Sequence, residues 1–280
     1  MSTLAPAAPV TSRQPAPTSR LSFGGLVRAE WIALTSLRAT HWAMWIGAAL
    51  AFGLTAGMAL LWASDAAGVG DPLALERIPP VSNIIVNGYI VAIAVAVVLG
   101  AAAYAKEHAT GSLRTRLAAA PRRGQSLLAM AVVTGATLFV FSVVGFALCF
   151  AACALIYGAF GAPVTLTDPM LDLVLPLLGI GVGTALTAVF SLGVAAMLRS
   201  ETWAVSLTFV FILVIPTVLF TLPWEWAATA SEYLFGTTVQ ALPGTSAGLT
   251  GEYLTDLALT IGWATAAMVG GSIVMNRRDA

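Results

Sequence analysis

Six long apolar stretches, without an ionisable residue in their middles, dominate this sequence. They cover residues 42–63, 83–105, 126–158, 173–198, 202–222 and 254–275. Each is near or above the roughly 20 residues that a helix needs to cross the hydrocarbon core of a bilayer. Of all residues 59% are hydrophobic and 9% are charged, against about 25% charged in soluble domains. The sequence therefore predicts an all-α, polytopic integral membrane protein with six transmembrane helices.

The thirteen basic residues predict the orientation of these helices. Six spans place both termini on one side, and all Lys and Arg residues except Arg77 then fall on that side. Short loops rich in Lys and Arg stay in the cytoplasm. We therefore expect a multi-pass protein of the cell membrane with both termini in the cytoplasm.

The N-terminal region divides into two parts. Residues 1–20 are rich in Pro, Ala, Ser and Thr, which predicts a disordered cytoplasmic tail before a six-helix transmembrane domain over residues 21–280. Between residues 22 and 40, apolar residues that include Trp31 recur at helical spacing, with Arg28 on the opposite face. This pattern predicts an amphipathic helix in the inner membrane interface, imperfect because Glu30 lies near its apolar side. The alternative is a positively charged start to the first span.

The sequence makes predictions about the shape of two segments, the third apolar run and residues 225–242. The third apolar run continues to residue 160, and at about 1.5 Å per residue a straight helix of that length exceeds the bilayer core. It either projects from the membrane or tilts and bends, with Gly145 as a candidate position for the bend. On the outer side, residues 225–242 predict one helix that rests on the outer leaflet or dips into it.

The span interiors argue against several classes of function. Proton-driven carriers and pumps need buried ionisable groups, and the middles of the spans offer none, although a sodium site of carbonyls and hydroxyls stays open. No HExxH is present, and hydrolysis within the membrane would need a nucleophile with a base nearby in the bilayer, so hydrolase chemistry is not expected. Cys149 and Cys153, four residues apart, are expected to be small core residues rather than metal ligands or a disulfide.

Closely spaced glycines in two spans predict close helix packing. Gly53 and Gly57 lie in the first span, and Gly179, Gly181 and Gly183 lie in the fourth. Such small residues let helix backbones approach each other. We expect this packing within the chain rather than across a dimer interface, because small-residue pairs are common in any helical membrane protein.

The most specific segment lies between the second and third spans, over residues 106–123. Ser112 can cap a short helix whose Leu113 and Leu117 share one face, and Pro121 ends that helix. Its shape suits docking into a groove of another protein, with Arg114 and Arg116 available for a partner carboxylate. The alternative is a basic loop that only sets the topology.

This segment resembles a loop of the permease subunits of ABC-2 type ATP-binding-cassette transporters. The stretch Glu107-x-x-Thr110-Gly111-Ser112-Leu113-Arg114 is similar to the E-x-x-T-G-T/S-I/L-R pattern of that family, and residues 117–123 continue the likeness. The stretch Arg28-Ala29-Glu30-Trp31 and the closing Arg277-Arg278-Asp279 are similar as well. The resemblance extends from about residue 21 to residue 280. A departure is His108-Ala109, where many relatives have an aromatic and a basic residue.

The resemblance implies a permease subunit, expected to export, that works with a second permease subunit, identical or related, and with cytoplasmic ATPases. The segment between the second and third spans would be a coupling helix that transmits ATPase closure through Glu107, Thr110, Gly111, Ser112, Leu113, Arg114 and Arg116. No G-x-x-x-x-G-K-[ST] is present, so this chain is not expected to be an enzyme or to bind a cofactor. ATP and Mg would belong to the partner ATPase. Membrane lipid is the other expected partner, and nucleic acid is not expected.

Two other functions compete with this interpretation. A membrane anchor or sensor without transport activity would use the basic segment to recruit a cytoplasmic partner. A secondary carrier or channel would transport with this chain alone, and the lack of buried charge makes it the weakest of the three. The cargo cannot be read from the sequence, although apolar spans fit amphipathic or lipid-like molecules better than small ions.

Overall fold

The computed structural model describes residues 22–69, 72–109, 123–164, 166, 168–244 and 249–278. Over those ranges the fold is all helical and contains no strand. The predicted tail at residues 1–20 lies outside the described residues.

The helices follow one another with short connections. They are α1 (Phe23–Ser36), α2 (Arg38–Gly68), α3 (Pro72–Glu76), α4 (Val81–Val86), α5 (Tyr89–Ala109), α6 (Arg123–Ala159), α7 (Leu175–Leu198), α8 (Glu201–Phe209), α9 (Ile215–Thr221), α10 (Glu225–Glu232), α11 (Phe235–Ala241) and α12 (Gly251–Arg278). A π-helical turn, Met170–Val174, precedes α7, and a second one, Val210–Val214, joins α8 to α9.

Six of these helical segments are long and apolar enough to cross a membrane, which confirms the six predicted spans. Spans 1 to 6 are Arg38–Gly68, Val81–Ala105, Gly124–Ala159, Met170–Leu198, Glu201–Thr221 and Gly251–Arg277. Each contains most or all of the corresponding predicted stretch. The hydropathy of the sequence is therefore a sufficient guide to the spans.

Spans 2 and 4 form the centre of the bundle. In their most apolar windows 56% of the residues are buried, against 22–28% in spans 1, 3, 5 and 6. Glycine makes this close packing possible: a Cβ added at Gly183 of span 4 would overlap the hydroxyl of Tyr89, and one at Gly100 of span 2 would overlap the carbonyl of Ala188. Span 4 therefore contacts spans 2, 3, 5 and 6.

The glycines of the two predicted packing motifs behave differently. Gly179, Gly181 and Gly183 lie against Leu242, Phe139 and Tyr89, as expected for packing within the chain. A Cβ at Gly53 or Gly57 would meet no atom within 4 Å. For span 1 the expectation is wrong, because the inward face of this peripheral helix is formed by Ala51, Thr55, Ala59 and Ala63 instead.

Span 3 is one uninterrupted helix of 37 residues, α6, without a helix break at Gly145. At 1.5 Å per residue it is about 55 Å long, whereas the hydrocarbon core is only about 30 Å thick. The helix therefore exceeds the core unless it is strongly tilted, and the structure shows no helix break at the candidate position for a bend.

The two π-helical turns each precede a proline by two residues. Leu175 donates its N–H to the carbonyl of Met170, and Ile215 donates to Val210, both five residues back. Pro176 and Pro216 follow directly, and a proline in a regular α-helix would collide with the carbonyl four residues earlier. The wider turn thus lets spans 4 and 5 continue through their prolines.

Candidate functional site

One end of the bundle carries most of the described positive charge. Arg28 lies on α1, Arg38 begins span 1, Arg199 links spans 4 and 5, and Arg277 ends span 6. We call this the basic end. Of the arginines whose side chains are described, Arg77 is the exception, because it lies in the connection between spans 1 and 2 at the opposite end.

Two hydrogen bonds between distant residues show which segments meet at the opposite end. The hydroxyl of Tyr157, near the end of span 3, donates to the carbonyl of Pro79 at 2.9 Å. The hydroxyl of Tyr89, near the start of span 2, donates to the carbonyl of Val239 at 3.0 Å. The connection before span 2, the end of span 3 and α11 therefore lie together, away from the arginines.

Of the seven predicted coupling residues, Glu107 alone lies within the described backbone. Glu107 belongs to the last turns of α5 rather than to a loop, because this helix continues to Ala109. Thr110, Gly111, Ser112, Leu113, Arg114 and Arg116 lie in the range 110–122, outside the described residues. The backbone of span 3 is described again from Arg123, so span 2 and span 3 flank this range directly.

The N-terminal helix α1 packs beside the start of span 3. It contacts span 3 and span 1, and it ends at Ser36 because Leu37 is extended before a new helix begins at Arg38. The predicted single segment over 22–40 is therefore two helices. Ser22 caps α1 by accepting the N–H of Gly25 at 3.2 Å.

The face of α1 that packs against the protein differs from the predicted apolar face. Glu30 is its buried residue, whereas Trp31 and Ile32 are exposed. Glu30, which interrupts the apolar pattern of the sequence, therefore lies on the side of α1 that contacts the bundle. Arg28 is exposed.

Spans 4 and 5 are joined at the basic end by two residues. Span 4 ends at Leu198, and Arg199 adopts a left-handed backbone conformation with φ of 56°. Ser200 then caps span 5, and its hydroxyl accepts the N–H of Trp203 at 3.5 Å. The reversal of the chain uses the left-handed conformation that often follows a helix, here with arginine instead of the usual glycine.

At the opposite end, the segment predicted as one helix over 225–242 is two helices. α10 ends at Glu232 and α11 begins at Phe235. Phe235, Val239 and Leu242 are fully buried, so this second part is inserted between the spans rather than resting on the bundle. A Cβ at Gly236 would overlap the carbonyl of Ile212 in span 5, which shows how closely the two backbones approach.

Hydroxyl groups and aromatic rings fix α11 in this position. Thr260 of span 6 donates to the hydroxyl of Thr238 at 3.0 Å, and both side chains are fully buried. Four stacked or edge-on rings form a continuous row from α11 through spans 4 and 5 to span 6, namely Phe235, Phe190, Phe211 and Trp263. No pattern in the sequence indicates that these four rings contact one another.

Cavities lie among the described residues of the spans. One of about 390 Å³ lies between spans 1 and 3 and reaches spans 2 and 4. Another, of about 320 Å³, lies between spans 4, 5 and 6 beside Phe211 and Trp263. Both are lined almost entirely by apolar side chains.

The two cysteines are free and buried, as predicted. The thiol of Cys153 lies 3.7 Å from the carbonyl of Thr55, which joins span 3 to span 1. Across the described part of the chain, no three His, Cys, Asp or Glu side chains are grouped closely enough to hold a metal ion.

The architecture defines the class of this chain as a helical protein with six segments capable of crossing a membrane. No protein-family model matches the sequence, and no curated protein matches it either.

Proposed function

We propose that this chain is the permease subunit of an ABC-2 type exporter, which moves its cargo across the cell membrane while a partner ATPase hydrolyses ATP. The observation that carries the proposal is the likeness of residues 107–123 to the coupling loop of that family. Its position supports the same function, since it joins span 2 to span 3 at the basic end. Both termini then face the cytoplasm, in agreement with the positive-inside rule.

Contacts between the spans offer a route for the coupling. A displacement of residues 110–122 would move the end of span 2, which is packed against span 4. Ser191 of span 4 donates its hydroxyl to the carbonyl of Val97 of span 2 at 2.7 Å. Gly193 brings span 4 against the backbone of Ala267 in span 6. A push at the basic end would therefore reach spans 4 and 6 through the core of the bundle.

Two surfaces are assigned to the membrane and to a second subunit in this proposal. The exposed Trp31 and Ile32 would enter the inner membrane interface, and Arg28, which shares their face of α1, would extend its charged end to the headgroups. The second permease subunit is expected to pack on exposed span surface, and Gly53 and Gly57 leave room for a close approach on span 1.

Purification in mild detergent tests the proposal directly. The chain is purified from its native membrane, co-purifying proteins are identified by mass spectrometry, and ATPase activity is measured. We expect a stoichiometric partner with a phosphate-binding loop. Arg114→Glu should lower the co-purified ATPase activity about tenfold, which corresponds to 1.4 kcal/mol, because the loss of an interfacial charge pair costs at least this much.

Arg77→Glu is the matched control, because it reverses an arginine at the opposite end of the bundle. It should leave the partner and the ATPase activity unchanged. If the wild-type chain purifies alone and without activity across several gentle detergents, the permease function is refuted. A partner that binds with no dependence on nucleotide would instead support the anchor or sensor.

A further inference from the structure

Spans 1 and 3 contact each other at two levels and are separated by a gap between them. Towards the basic end Trp45 and Phe141 make an edge-to-face contact with ring centroids 5.7 Å apart. Towards the opposite end the thiol of Cys153 lies 3.7 Å from the carbonyl of Thr55. Between these two contacts the helices separate and leave the cavity of about 390 Å³. Its volume lies within the range of roughly 300–1,000 Å³ that is usual for ligand pockets.

The walls of this cavity favour hydrocarbon over water. Ser142 and Thr184 carry hydroxyls and Trp45 carries an indole N–H, while the other lining side chains are aliphatic, aromatic or sulfur-containing. Thr184 already donates its hydroxyl to the carbonyl of Ile180 at 2.6 Å. A water molecule needs two to four polar partners, and this wall offers few.

The cavity opens sideways onto the exposed surface of the spans. Trp45, Phe52, Val144 and Leu148 line it and are exposed as well, so its mouth is continuous with the surface that would face lipid. At its back Gly47 packs against Val95, and a Cβ at Gly47 would overlap that side chain. The cavity is therefore closed towards the core and open towards the bilayer.

The length of the cavity fits one lipid tail. Along span 3 its lining runs from Leu138 to Cys149, which is about 17 Å at 1.5 Å per residue. This is roughly half of the 30 Å hydrocarbon core, and hence close to the depth of one leaflet.

A positively charged side chain, Arg38, lies on the basic-end side of the cavity mouth. Arg38, Trp45 and Phe52 are spaced seven residues apart on α2 and therefore share one face of this helix. Trp45 and Phe52 line the cavity, while Arg38 is exposed at the basic end. Arg38 lies about 9 Å along the helix from Met44, the first residue of the lining, where a headgroup phosphate would be found.

We propose that this cavity binds one acyl chain of a glycerophospholipid from the leaflet at the basic end, with the lipid phosphate beside Arg38. The bound lipid fills the gap between spans 1 and 3 and completes their packing. The site belongs to this chain alone and does not require a partner ATPase.

Photolabelling of the purified full chain tests this site. The chain is reconstituted in phosphatidylcholine vesicles that contain a phosphatidylglycerol with a photoreactive diazirine in one acyl chain, and adducts are mapped by mass spectrometry. We expect adducts concentrated on Trp45, Phe52 and residues 142–149. If the wild-type chain shows adducts spread evenly over all exposed span surfaces, the proposal is overturned.

A pair of glycine variants on span 3 gives the matched control. A Cβ at Gly145 or at Gly158 would meet no atom within 4 Å, but only Gly145 lines the cavity. Gly145→Phe should fill the cavity and lower labelling of its lining about tenfold, while Gly158→Phe should leave that labelling unchanged. Equal labelling in the two variants would refute a tail within the cavity.

The headgroup is tested separately. A diacylglycerol with the same diazirine chain has no phosphate and should label the lining about tenfold less than the phospholipid in the wild-type chain, and Arg38→Gln should abolish this difference. If the diacylglycerol labels as strongly as the phospholipid in the wild-type chain, the occupant is not a phospholipid held by its phosphate.

Discussion

Hydroxyl groups inside the bundle fall into two groups with different effects on stability. Many threonines, such as Thr187, donate to a carbonyl in the preceding turn of their own helix, here Gly183 at 2.7 Å. Others join separate elements, as Tyr89 does with Val239 and Ser191 does with Val97. Only the second group should contribute to holding the helices together, by a fraction of a kcal/mol up to about 2 kcal/mol each.

Replacing Tyr89 tests this distinction. Tyr89→Phe removes the hydroxyl that joins span 2 to the Val239 carbonyl, which keeps only the N–H of Leu242 at 3.4 Å, so the free energy of unfolding should fall by about 1 kcal/mol. Tyr233→Phe, at an exposed tyrosine, should change it by less than about 0.5 kcal/mol. Unfolding of both variants in mixed micelles with rising SDS measures the difference, and equal losses would contradict it.

The space around each glycine predicts how its replacement by alanine changes the free energy of unfolding. Gly183→Ala places a methyl group onto the Tyr89 hydroxyl and should cost about 1–3 kcal/mol of unfolding free energy by overpacking. Gly53→Ala has open space and should cost nothing or stabilise slightly, since alanine favours the helix.

The double variant Tyr89→Phe with Gly183→Ala tests whether the loss of stability in Gly183→Ala comes from the clash with the Tyr89 hydroxyl. Removing the hydroxyl removes the nearest atom in the clash, so the two losses should sum to more than the loss of the double variant. Additive losses would show that the Gly183 methyl group does not act through this hydroxyl.

Among the helices, α11 makes a close backbone contact with span 5 in addition to its side-chain contacts. Pro216 has no N–H, so it cannot donate to the carbonyl of Ile212 four residues before it, and Gly236 of α11 packs against that same carbonyl. The irregular turn of span 5 thus presents backbone to which a small residue can pack. The absence of a side chain at residue 236 is what lets α11 insert.

Gly236→Ala should therefore loosen α11. We expect faster hydrogen–deuterium exchange in Phe235–Ala241, because the added methyl group meets backbone that cannot move aside. Gly251→Ala, at the start of span 6 where a Cβ meets open space, is the control and should leave this exchange unchanged. Unaltered protection of α11 in Gly236→Ala would show that another contact holds it.

The orientation of the whole molecule can be tested by thiol labelling in intact cells. Val69→Cys, an exposed position before the connection that holds Arg77, should react with a membrane-impermeant maleimide. Arg277→Cys should react only after the membrane is permeabilised, because the basic end is predicted to face the cytoplasm. The wild-type chain is the blank, since Cys149 and Cys153 are buried. The reversed pattern would place both termini outside.

The six spans could be predicted from the sequence because each apolar stretch is long enough to be decisive by itself. The division of 225–242 could not, since the insertion of α11 depends on Gly179, Gly236 and Ile212, which are distant from one another in sequence. The cavity was also missed, because hydropathy does not show where two apolar helices fail to touch. The coupling residues 110–116 remain a prediction from their likeness to a family loop.

The two-residue link between spans 4 and 5 limits how this molecule can move. Two residues, one of them in a left-handed conformation and the other a helix cap, leave no slack between Leu198 and Glu201. A displacement of the basic end of either helix is therefore passed directly to the basic end of the other. Spans 4 and 5 can change their mutual angle at this link, but their linked ends cannot move apart.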